Sequence, residues 1–513
     1  MSTADLTRPA SVWPRLPHLI VPALLLGLIG LQIAVTRSSA VYHRRMWLDE
    51  VHTQLLVQDP SLSHAFEALK HGADTNAPAL YLLTRAASWC VGSTGPGALR
   101  VVGFVSVLLG VLGVYASIRR VYPAHVATIG AMATWAHPMI TRHAFEARFY
   151  GPWFAGMVWF AFALNLWDRS RSKFWPGVLL ASTSVLVCTN HYLGVISLGL
   201  VLVAHSLSIR TGWRAALERV VPVGVGILAL AACIPLYLGQ RKSITVGTWI
   251  EPASLPAARD FLMMVFSYYV FAIPVIGLFA ASLLARGRGV ASAEGTPEDV
   301  SELGGLAGLA LLPAVLIVLS FSVQSVLIDR YAIAAVAGFG PLIAPVVARI
   351  RGPVRWAVLA GFLVLSTSNL MGSARWFRQA EARRDEATAA VARLADAPIL
   401  FRSRSDLYEL WWDAPEARDR FYFWDPKDLA EHPSALDCLE RDMAGNHSRW
   451  YGLSRTATLS SLGDHRLVYL YGLDAEGVIE VERTEPELKL RSIDPRRGLF
   501  EATRTGERVT GLE

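Results

Sequence analysis

Charged residues, cysteine pairs and nucleotide-binding motifs are all scarce in this chain of 513 residues. Charged residues make up 18% of the chain, hydrophobic residues make up 53%, and the mean hydropathy is +0.37. Average proteins are about a quarter charged, so this composition excludes a soluble enzyme of this length. The sequence contains neither a P-loop nor a dinucleotide-binding glycine motif, so no motif supports nucleotide hydrolysis as the function.

The cysteines are few and show no paired spacing. There are four, Cys90, Cys188, Cys233 and Cys438, and none belongs to a CxxC motif. The first three lie in or beside apolar stretches, where a free cysteine behaves as a small hydrophobe. A disulfide framework and a zinc site are therefore not expected.

Long hydrophobic runs are abundant. Crossing about 30 Å of hydrocarbon takes about 17–25 apolar residues, and about eleven stretches of the chain have such a length. The predicted spans lie near residues 17–36, 98–118, 123–141, 151–167, 174–190, 192–209, 220–238, 261–285, 305–323, 332–348 and 354–371. No small-residue cleavage site follows the first run, so we expect a retained helix there and not a removed signal peptide.

Basic residues in the short loops indicate the orientation. If the N-terminus with Arg8 and Arg15 is cytoplasmic, every short loop on that side is basic and the opposite loops are poorer in charge. Those cytoplasmic loops contain Arg119-Arg120, Asp168–Lys173, Arg210–Arg219, Arg286–Arg288 and Arg349–Arg355. Because the number of spans is odd, we predict a multi-pass protein of the inner (cytoplasmic) membrane with its N-terminus inside and its C-terminus outside.

The first external loop is then the longest, covering residues 37–97. Its segment 78–92 is apolar but short and has Arg85 in its middle. A stretch of this length is more typical of an interfacial helix than of a span, and counting it as a span would invert every later loop. We therefore expect a helix along the outer face, preceded by amphipathic candidates near 47–58 and 61–71.

The hydropathy collapses after residue 371. Residues 372–395 predict a charged amphipathic connecting helix, and residues 396–513 predict a small soluble α/β domain. Strand-like segments are APILFRS, RFYFWD and HRLVYLYGL, and helical patterns are DLYELWWD and ALDCLERDMAG. The predicted fold is an all-α polytopic membrane domain, residues 1–371, followed by this α/β domain on the extracytoplasmic side.

Two acidic sites stand out in the first external loop. Asp49 could act as a general base, with Glu50 as an orienting or ligating group. The alternative is a solvated acidic pair in the first turn of an amphipathic helix, where it suits the helix dipole. Further on, Asp74–Tyr81 is typical of a cap and turn, with Asn76 as the cap and Pro78 in the first helical turn.

The other external loops supply cations. Arg142 and Arg148 could hold a phosphate bidentately, with Glu146 orienting one of them, although interfacial snorkelling with local ion pairs would explain them as well. Three further cations, Arg241, Lys242 and Arg330, lie on the same predicted face, and an arginine entering a span must be paired or face a cavity. A lone histidine such as His191 is more often a hydrogen-bonded structural residue than a residue that binds a ligand. Together these groups suit an acidic base beside a lipid-linked phosphate.

Five motifs, taken in order, resemble the GT-C glycosyltransferases of the protein O-mannosyltransferase and aminoarabinose (lipid A) transferase superfamily. They are Trp47–Glu50, Asn76–Leu83, Glu146–Tyr150, Thr248–Pro252 and Asp329–Tyr331. Each motif alone is weak, but their order is specific, and the resemblance covers roughly residues 17–371. Ala77-Pro78 stands where members of the family commonly have two prolines. The C-terminal domain shows no such resemblance.

The resemblance implies an inverting transfer of a sugar from a polyprenyl phosphate to a lipid, glycan or protein acceptor. Asp49 would be the catalytic base, and Glu50 would contact the acceptor or a metal ion. The implied phosphate-binding residues are Arg148 and, after it, Arg142, Arg241, Lys242 and Arg330, with Glu146, Tyr150, His191 and Tyr331 as secondary groups. No cofactor is required, since basic residues can stabilise the departing phosphate; a divalent cation at Glu50 remains an option. Membrane lipids are expected partners, and nucleic acid is not.

Two rival functions remain. A transporter or flippase for a lipid-linked anion would also present outward arginines and lysines. It predicts ionisable residues at the bilayer midplane, often with an inverted repeat, and the sequence shows neither pattern. A membrane anchor that merely displays residues 396–513 would not explain so many spans or the charged external loops.

Overall fold

The computed structural model describes residues 16–209, 213–244, 250, 252–266, 301–350, 352–425, 435–453, 455–462 and 465–505. Some sequence predictions lie outside these ranges. They concern Arg8 and Arg15, the basic loop Arg286–Arg288, most of the span 261–285, and Thr248, Trp249 and Glu251 of the fourth motif.

From residue 16 to residue 392, the regular elements of the described residues are all helices; we call this the first part of the chain. The helices are α1 Leu16–Val35, α2 Ser39–Tyr42, α3 Leu48–Gln58, α4 Leu62–Lys70, α5 Ala79–Val91, α6 Pro96–Arg119, α7 Ala124–Trp135, α8 Pro138–His143, α9 Tyr150–Arg169, α10 Phe174–Asn190, α11 Gly194–Ser208, α12 Trp213–Ala232, α13 Ile234–Ser243, α14 Leu255–Val265, α15 Gly304–Gly308, α16 Leu312–Ser322, α17 Phe339–Arg349 and α18 Pro353–Ala392. Two 3₁₀ segments, Leu309–Leu311 and Asp329–Gly338, precede α16 and α17.

Five helical segments of the described residues are long and apolar enough to cross a membrane. They are Pro96–Arg119, Leu217–Ser243, Gly304–Ser322, Asp329–Arg349 and Pro353–Ala392. The remaining predicted spans coincide with shorter or less apolar helices wherever the chain is described. A membrane protein built mainly of helices is confirmed, while the number of about eleven spans and their orientation stay predictions.

Several predicted spans are interrupted, mostly where proline occurs. Within the predicted span 123–141, α7 ends before Pro138 and α8 begins at this proline. Within the predicted span 220–238, α12 ends at Ala232 and α13 begins at Ile234, with Pro235 in its first turn. Proline lacks the backbone donor that continues a helix, and it is favoured in the first turn of a new one. The apolar runs were therefore identified correctly, but not their internal breaks.

The segment 78–92 forms the separate short helix α5. Its burial is one-sided: Leu80, Tyr81, Thr84 and Ser88 are buried, whereas Trp89 is exposed. The helix ends at Gly92, whose φ of 70° lies in the left-handed region that glycine adopts without strain. The helices predicted near 47–58 and 61–71 are present as α3 and α4.

Small residues let α6 and α9 pack closely and thereby fix the segment between α8 and α9. A side chain at Gly103 would collide with the carbonyl oxygen of Glu146, and one at Gly151 would collide with the carbonyl oxygen of Gly103. Close approach through small residues is a common mode of helix packing in membranes. It brings the loop of residues 144–149, between α8 and α9, against α6.

The last predicted span and the predicted connecting helix 372–395 are one element. Helix α18 is continuous for 40 residues and passes through residue 371 without a break. Its buried Arg384 donates from Nη1 to the carbonyl oxygen of Met46 at 2.7 Å and from Nη2 to that of Glu409 at 2.8 Å. Arg384 also pairs with Asp413. This arginine joins α18 to both the segment just before α3 and the C-terminal domain.

The C-terminal domain is a six-stranded mixed sheet with helices. Its elements are β1 Ile399–Phe401, α19 Arg404–Asp413, β2 Phe421–Trp424, α20 Ala435–Tyr451, β3 Arg455–Ala457, β4 Leu467–Tyr471, α21 Ala475–Thr484, β5 Leu488–Asp494 and β6 Leu499–Arg504. The strand order is β3-β2-β1-β4-β6-β5. Strands β1 to β4 are parallel, and β6 is antiparallel to both β4 and β5. The predicted strands are β1, β2 and β4, and the predicted helices are α19 and α20.

Candidate active site

A cavity of about 270 Å³ lies where the first part of the chain meets the C-terminal domain. The start of α3, the turn before α5, the start of α9, the Asp329–Gly338 segment and the helices α19 and α20 surround it. Its lining residues are Trp47, Leu48, Asp49, His52, Asp74, Thr75, Asn76, Arg148, Phe149, Tyr150, Arg330, Tyr331, Arg404, Leu439, Glu440 and Met443. We call it the central cavity.

Asp49 lies in the first turn of α3, where a carboxylate is stabilised by the helix dipole. Its Oδ2 accepts a hydrogen bond from Arg330 Nη1 at 2.8 Å, and its backbone carbonyl accepts one from Arg148 Nη1 at 2.7 Å. The side chains of Asp49 and Arg330 are both partly exposed to the cavity. Residues from three distant segments thus meet at Asp49.

Glu50 points the other way and lies outside the lining of the central cavity. Its side chain is 0% exposed and accepts bonds from Arg100 Nε and Nη2 at 2.8 and 2.6 Å, from Arg44 Nη1 at 2.9 Å and from the backbone N–H of Ala147 at 2.8 Å. Burial alone would raise the pKa of Glu50, but Arg100 and Arg44 outweigh it and lower that pKa to about 2. The adjacent carboxylates therefore lie in different surroundings, and that of Glu50 joins α3, α6 and the loop of residues 144–149 between α8 and α9.

The ion network of Glu50 gives a stability prediction. Glu50→Gln removes the anion that pairs with the buried guanidinium groups of Arg44 and Arg100. Breaking a buried ion pair by removing one partner lowers the free energy of unfolding by about 3–5 kcal/mol. We expect a clearly lower unfolding temperature in detergent, measured by intrinsic tryptophan fluorescence. The exposed Glu67, paired with Lys70, provides the matched control, because Glu67→Gln removes only a surface ion pair. Equal unfolding temperatures for the two variants would contradict the structural role of Glu50.

Arg148 forms a buried ion pair with Asp74. The Nη1 to Oδ2 distance is 2.7 Å, and the side chains are 5% and 2% exposed. Burial alone would raise the pKa of Asp74, but Arg148 outweighs it and lowers that pKa. Asp74 Oδ1 also accepts from Asn76 Nδ2 at 2.9 Å. The predicted cap is therefore wrong in detail: Asn76 donates to Asp74, and Pro78 is the N-cap of α5 without a side-chain bond.

Aromatic rings form one side of the site. Tyr150 and Tyr331 line the central cavity. Behind them the His191 ring stacks on Phe149 and Trp153, with centroid distances of 4.2 and 4.8 Å, and lies 5.1 Å from the Tyr331 ring. His191 Nδ1 accepts from the backbone N–H of Leu193 at 3.2 Å. His191 therefore supports the lining and is not part of it.

Besides Glu50 and His191, four further predicted residues lie outside the lining of the central cavity. Arg142 is exposed, and its guanidinium lies 5.5 Å from the centre of the Trp376 ring. Glu146 pairs with His143 at 2.9 Å and contacts neither predicted arginine. Arg241 and Lys242 are exposed in the last turn of α13. The structure therefore brings together Asp49, Arg148, Tyr150, Arg330 and Tyr331 from the predicted set.

Other lining residues were not predicted from the sequence. His52 could have been, since it follows Asp49 by three positions and so shares its face of α3. Arg404 and Glu440 come from the C-terminal domain, where no motif marked them. Among the described residues, no three histidine, cysteine, aspartate or glutamate side chains cluster closely enough to hold a metal ion. The optional cation stays a prediction.

Comparisons with known proteins bear on the fold. No protein-family model and no curated protein sequence matches the chain. The structure of ArnT from Cupriavidus metallidurans in the apo state is similar, with a TM-score of 0.60 and 15% identity over 93% of this chain and 98% of that one. ArnT bound to undecaprenyl phosphate gives a TM-score of 0.56 and 14% identity over 95% and 99%. AglB from Archaeoglobus fulgidus gives 0.45 and 12% over 96% and 75%, which is too low to carry weight.

The similarity to ArnT extends over nearly the whole of both chains, including the C-terminal domain that resembled nothing by sequence. At this level of identity it establishes the fold alone. The fold that the resemblance of five short motifs implied is thereby confirmed: the chain has the ArnT fold.

Proposed function

We propose that this chain is a membrane glycosyltransferase that transfers a sugar from a polyprenyl-phosphate donor to an acceptor, with inversion at the sugar carbon. The observation that carries the proposal is the central cavity, where one carboxylate, Asp49, lies beside two arginines, Arg148 and Arg330. Transfer of a sugar from a phosphate needs a base for the acceptor proton and cations for the departing phosphate. These residues supply both.

Asp49 is the proposed base. As the acceptor oxygen attacks the sugar carbon, its proton passes to the Asp49 carboxylate, while the bond between that carbon and the phosphate oxygen breaks. Arg330 holds Oδ2 at 2.8 Å, which fixes the orientation of the carboxylate. The other oxygen of the carboxylate is left to accept the proton.

Arg148 and Arg330 are the proposed phosphate ligands. A guanidinium carries five donors, and the partners already described use only part of them. Arg148 Nε and Arg330 Nε are buried and have no hydrogen-bond partner among the described residues. Each arginine thus retains a donor for a phosphate oxygen, and the phosphate replaces no existing bond at those atoms.

The fold supports the choice of donor, since one of the similar ArnT structures is bound to undecaprenyl phosphate. We infer that the lipid-linked substrate of this chain is likewise a polyprenyl phosphate carrying a sugar. The acceptor is a lipid, a glycan or a protein, and the proposed chemistry requires no cofactor. The direct test incubates the purified protein with radiolabelled polyprenyl-phosphate sugars and crude envelope acceptors, in which label should move to the acceptor fraction.

The proposed site lies on the extracytoplasmic side of an inner membrane, together with the C-terminal domain. In a background without the native cysteines, we expect Ser461→Cys in the C-terminal domain to react with a membrane-impermeant thiol reagent in intact cells. Ser172→Cys, between α9 and α10, should react only after lysis. Both serines are exposed, so accessibility within the protein does not distinguish them. Labelling in the reverse sense would contradict the proposed orientation.

A further inference from the structure

The C-terminal domain supplies a distinct part of the central cavity. Arg404 begins α19 immediately after β1, and Leu439, Glu440 and Met443 lie on α20. We call these four residues the roof and call Asp49, Arg148 and Arg330 the floor. Since both sets line one cavity, a ligand whose phosphate lies at the floor extends between them.

Arg404 is held firmly in the roof yet retains free donors. Its side chain is 4% exposed. Its backbone N–H and its Nη2 donate to the two carboxylate oxygens of Glu440 at 2.9 and 3.1 Å. Its Nε and Nη1 are buried and have no hydrogen-bond partner in the part of the chain that the structure describes. A buried donor without a partner is costly unless a ligand satisfies it.

A second contact holds α20 against α3 and so sets the distance between the roof and the floor. His447 of α20 stacks on His52 of α3 with ring centroids 4.8 Å apart. Its ring nitrogens also bond the Tyr408 hydroxyl and the carbonyl oxygen of Ala73, each at 2.7 Å. Burial lowers the pKa of His447 to about 3 and that of His52 well below its usual range, so the stack consists of neutral rings at physiological pH. The roof is therefore built onto the same helix that carries Asp49.

We propose, resting on the proposed function, that the roof is the sugar-binding subsite and that Arg404 recognises hydroxyl oxygens of the transferred sugar. The free groups of Arg404 are donors only and require oxygen acceptors. Glu440 already neutralises the charge of Arg404, so the roof does not call for an acidic sugar. An ammonium group on the sugar would offer Arg404 no acceptor. The substrate class is thus a lipid-linked sugar that turns uncharged hydroxyl groups toward the roof.

Lipid binding with and without the sugar tests this assignment. Dissociation constants of the full-length wild type and of Arg404→Met are measured for undecaprenyl phosphate alone and for a panel of undecaprenyl-phosphate sugars. The panel contains glucose, mannose, arabinose, galacturonic acid and an amino sugar. For the neutral sugar that the wild type binds best, Arg404→Met should raise Kd by about tenfold to a hundredfold, the effect of losing two hydrogen bonds to a buried charged group. The Kd for undecaprenyl phosphate should remain within about twofold.

Arg402→Met is the matched control. Arg402 lies two residues before Arg404, pairs with Asp474 outside the central cavity, and should leave both constants unchanged. Arg404→Lys keeps a charge for Glu440 but loses the guanidinium fork. It replaces Arg404→Met if the unfolding temperature shows that the latter does not fold.

Each other outcome overturns the inference in a recognisable way. If Arg404→Met lost equal affinity for undecaprenyl phosphate and for the best neutral-sugar lipid, Arg404 would lie at the phosphate. If it lost affinity for neither, Arg404 would not belong to the site. Tightest binding of the galacturonic acid or amino-sugar lipid would overturn recognition through uncharged hydroxyl groups. A wild type that binds no lipid on the panel would instead contradict the proposed function itself.

Discussion

Asp49→Asn is expected to reduce sugar transfer by at least about a hundredfold, the usual contribution of a positioned base. Asparagine keeps the size of the side chain and can still accept a bond from Arg330, but its amide does not take up the acceptor proton. The variant should still purify as a monodisperse protein and bind undecaprenyl phosphate. Transfer is measured with the best donor of the wild type under single-turnover conditions.

The control for this substitution is Asp260→Asn, which changes an exposed carboxylate paired with Arg259 outside the cavity lining. It should transfer sugar at the normal rate. If Asp49→Asn also does so, the base lies elsewhere. The acidic pair at the start of α3 would then be explained by the helix dipole and by the ion network of Glu50.

Arg148→Ala is expected to slow transfer by about two to three orders of magnitude, corresponding to about 2–4 kcal/mol of lost transition-state stabilisation. Arg148→Lys should recover only part of the rate, because a lysine lacks the planar fork that binds two oxygens. A second effect accompanies the first. Asp74 would be left as an uncompensated buried carboxylate, which destabilises a protein by about 3–5 kcal/mol.

The double variant Arg148→Ala/Asp74→Asn separates these two effects. It removes both charges, so the unfolding temperature should recover toward that of the wild type, whereas transfer should stay as low as in Arg148→Ala. Recovery of transfer in the double variant would show that Arg148 serves only to neutralise Asp74. Full activity of the single variant would remove Arg148 from the site altogether.

The sequence was most informative where the signal is local. Apolar runs marked the membrane helices, and their loss after residue 371 marked the approach to the C-terminal domain. Strands β1, β2 and β4 were predicted because they are rich in aromatic and branched residues. Strands β5 and β6, with sequences LKLRSID and LFEATR, were missed because charged residues interrupt the pattern of an edge hairpin.

The candidate site was predicted only in part, because its contacts join residues far apart in sequence. Asp49, Arg148 and Arg330 were chosen from separate loops, and the cavity unites them. The pairing of Glu50 with Arg100 was not predictable, since Arg100 lies within an apolar helix and inside the predicted span 98–118. Arg142 was chosen by the same reasoning as Arg148, yet it lies beside Trp376. Charge type and membrane side identify such candidates, but they do not distinguish a cavity from an interface.

Because α18 is one continuous helix, the number of residues in it sets the distance and the angle between the floor and the roof. Each residue of an α-helix advances the chain by about 1.5 Å and turns it by about 100°. A single residue inserted near residue 372 would thus swing α19 and α20 around the helix axis far more than it would lift them. Two whole turns, about seven residues, would restore the angle yet raise the domain by about 10 Å. In this chain, the length of α18 therefore sets both how large a ligand fits beneath the roof and which face of the roof meets it.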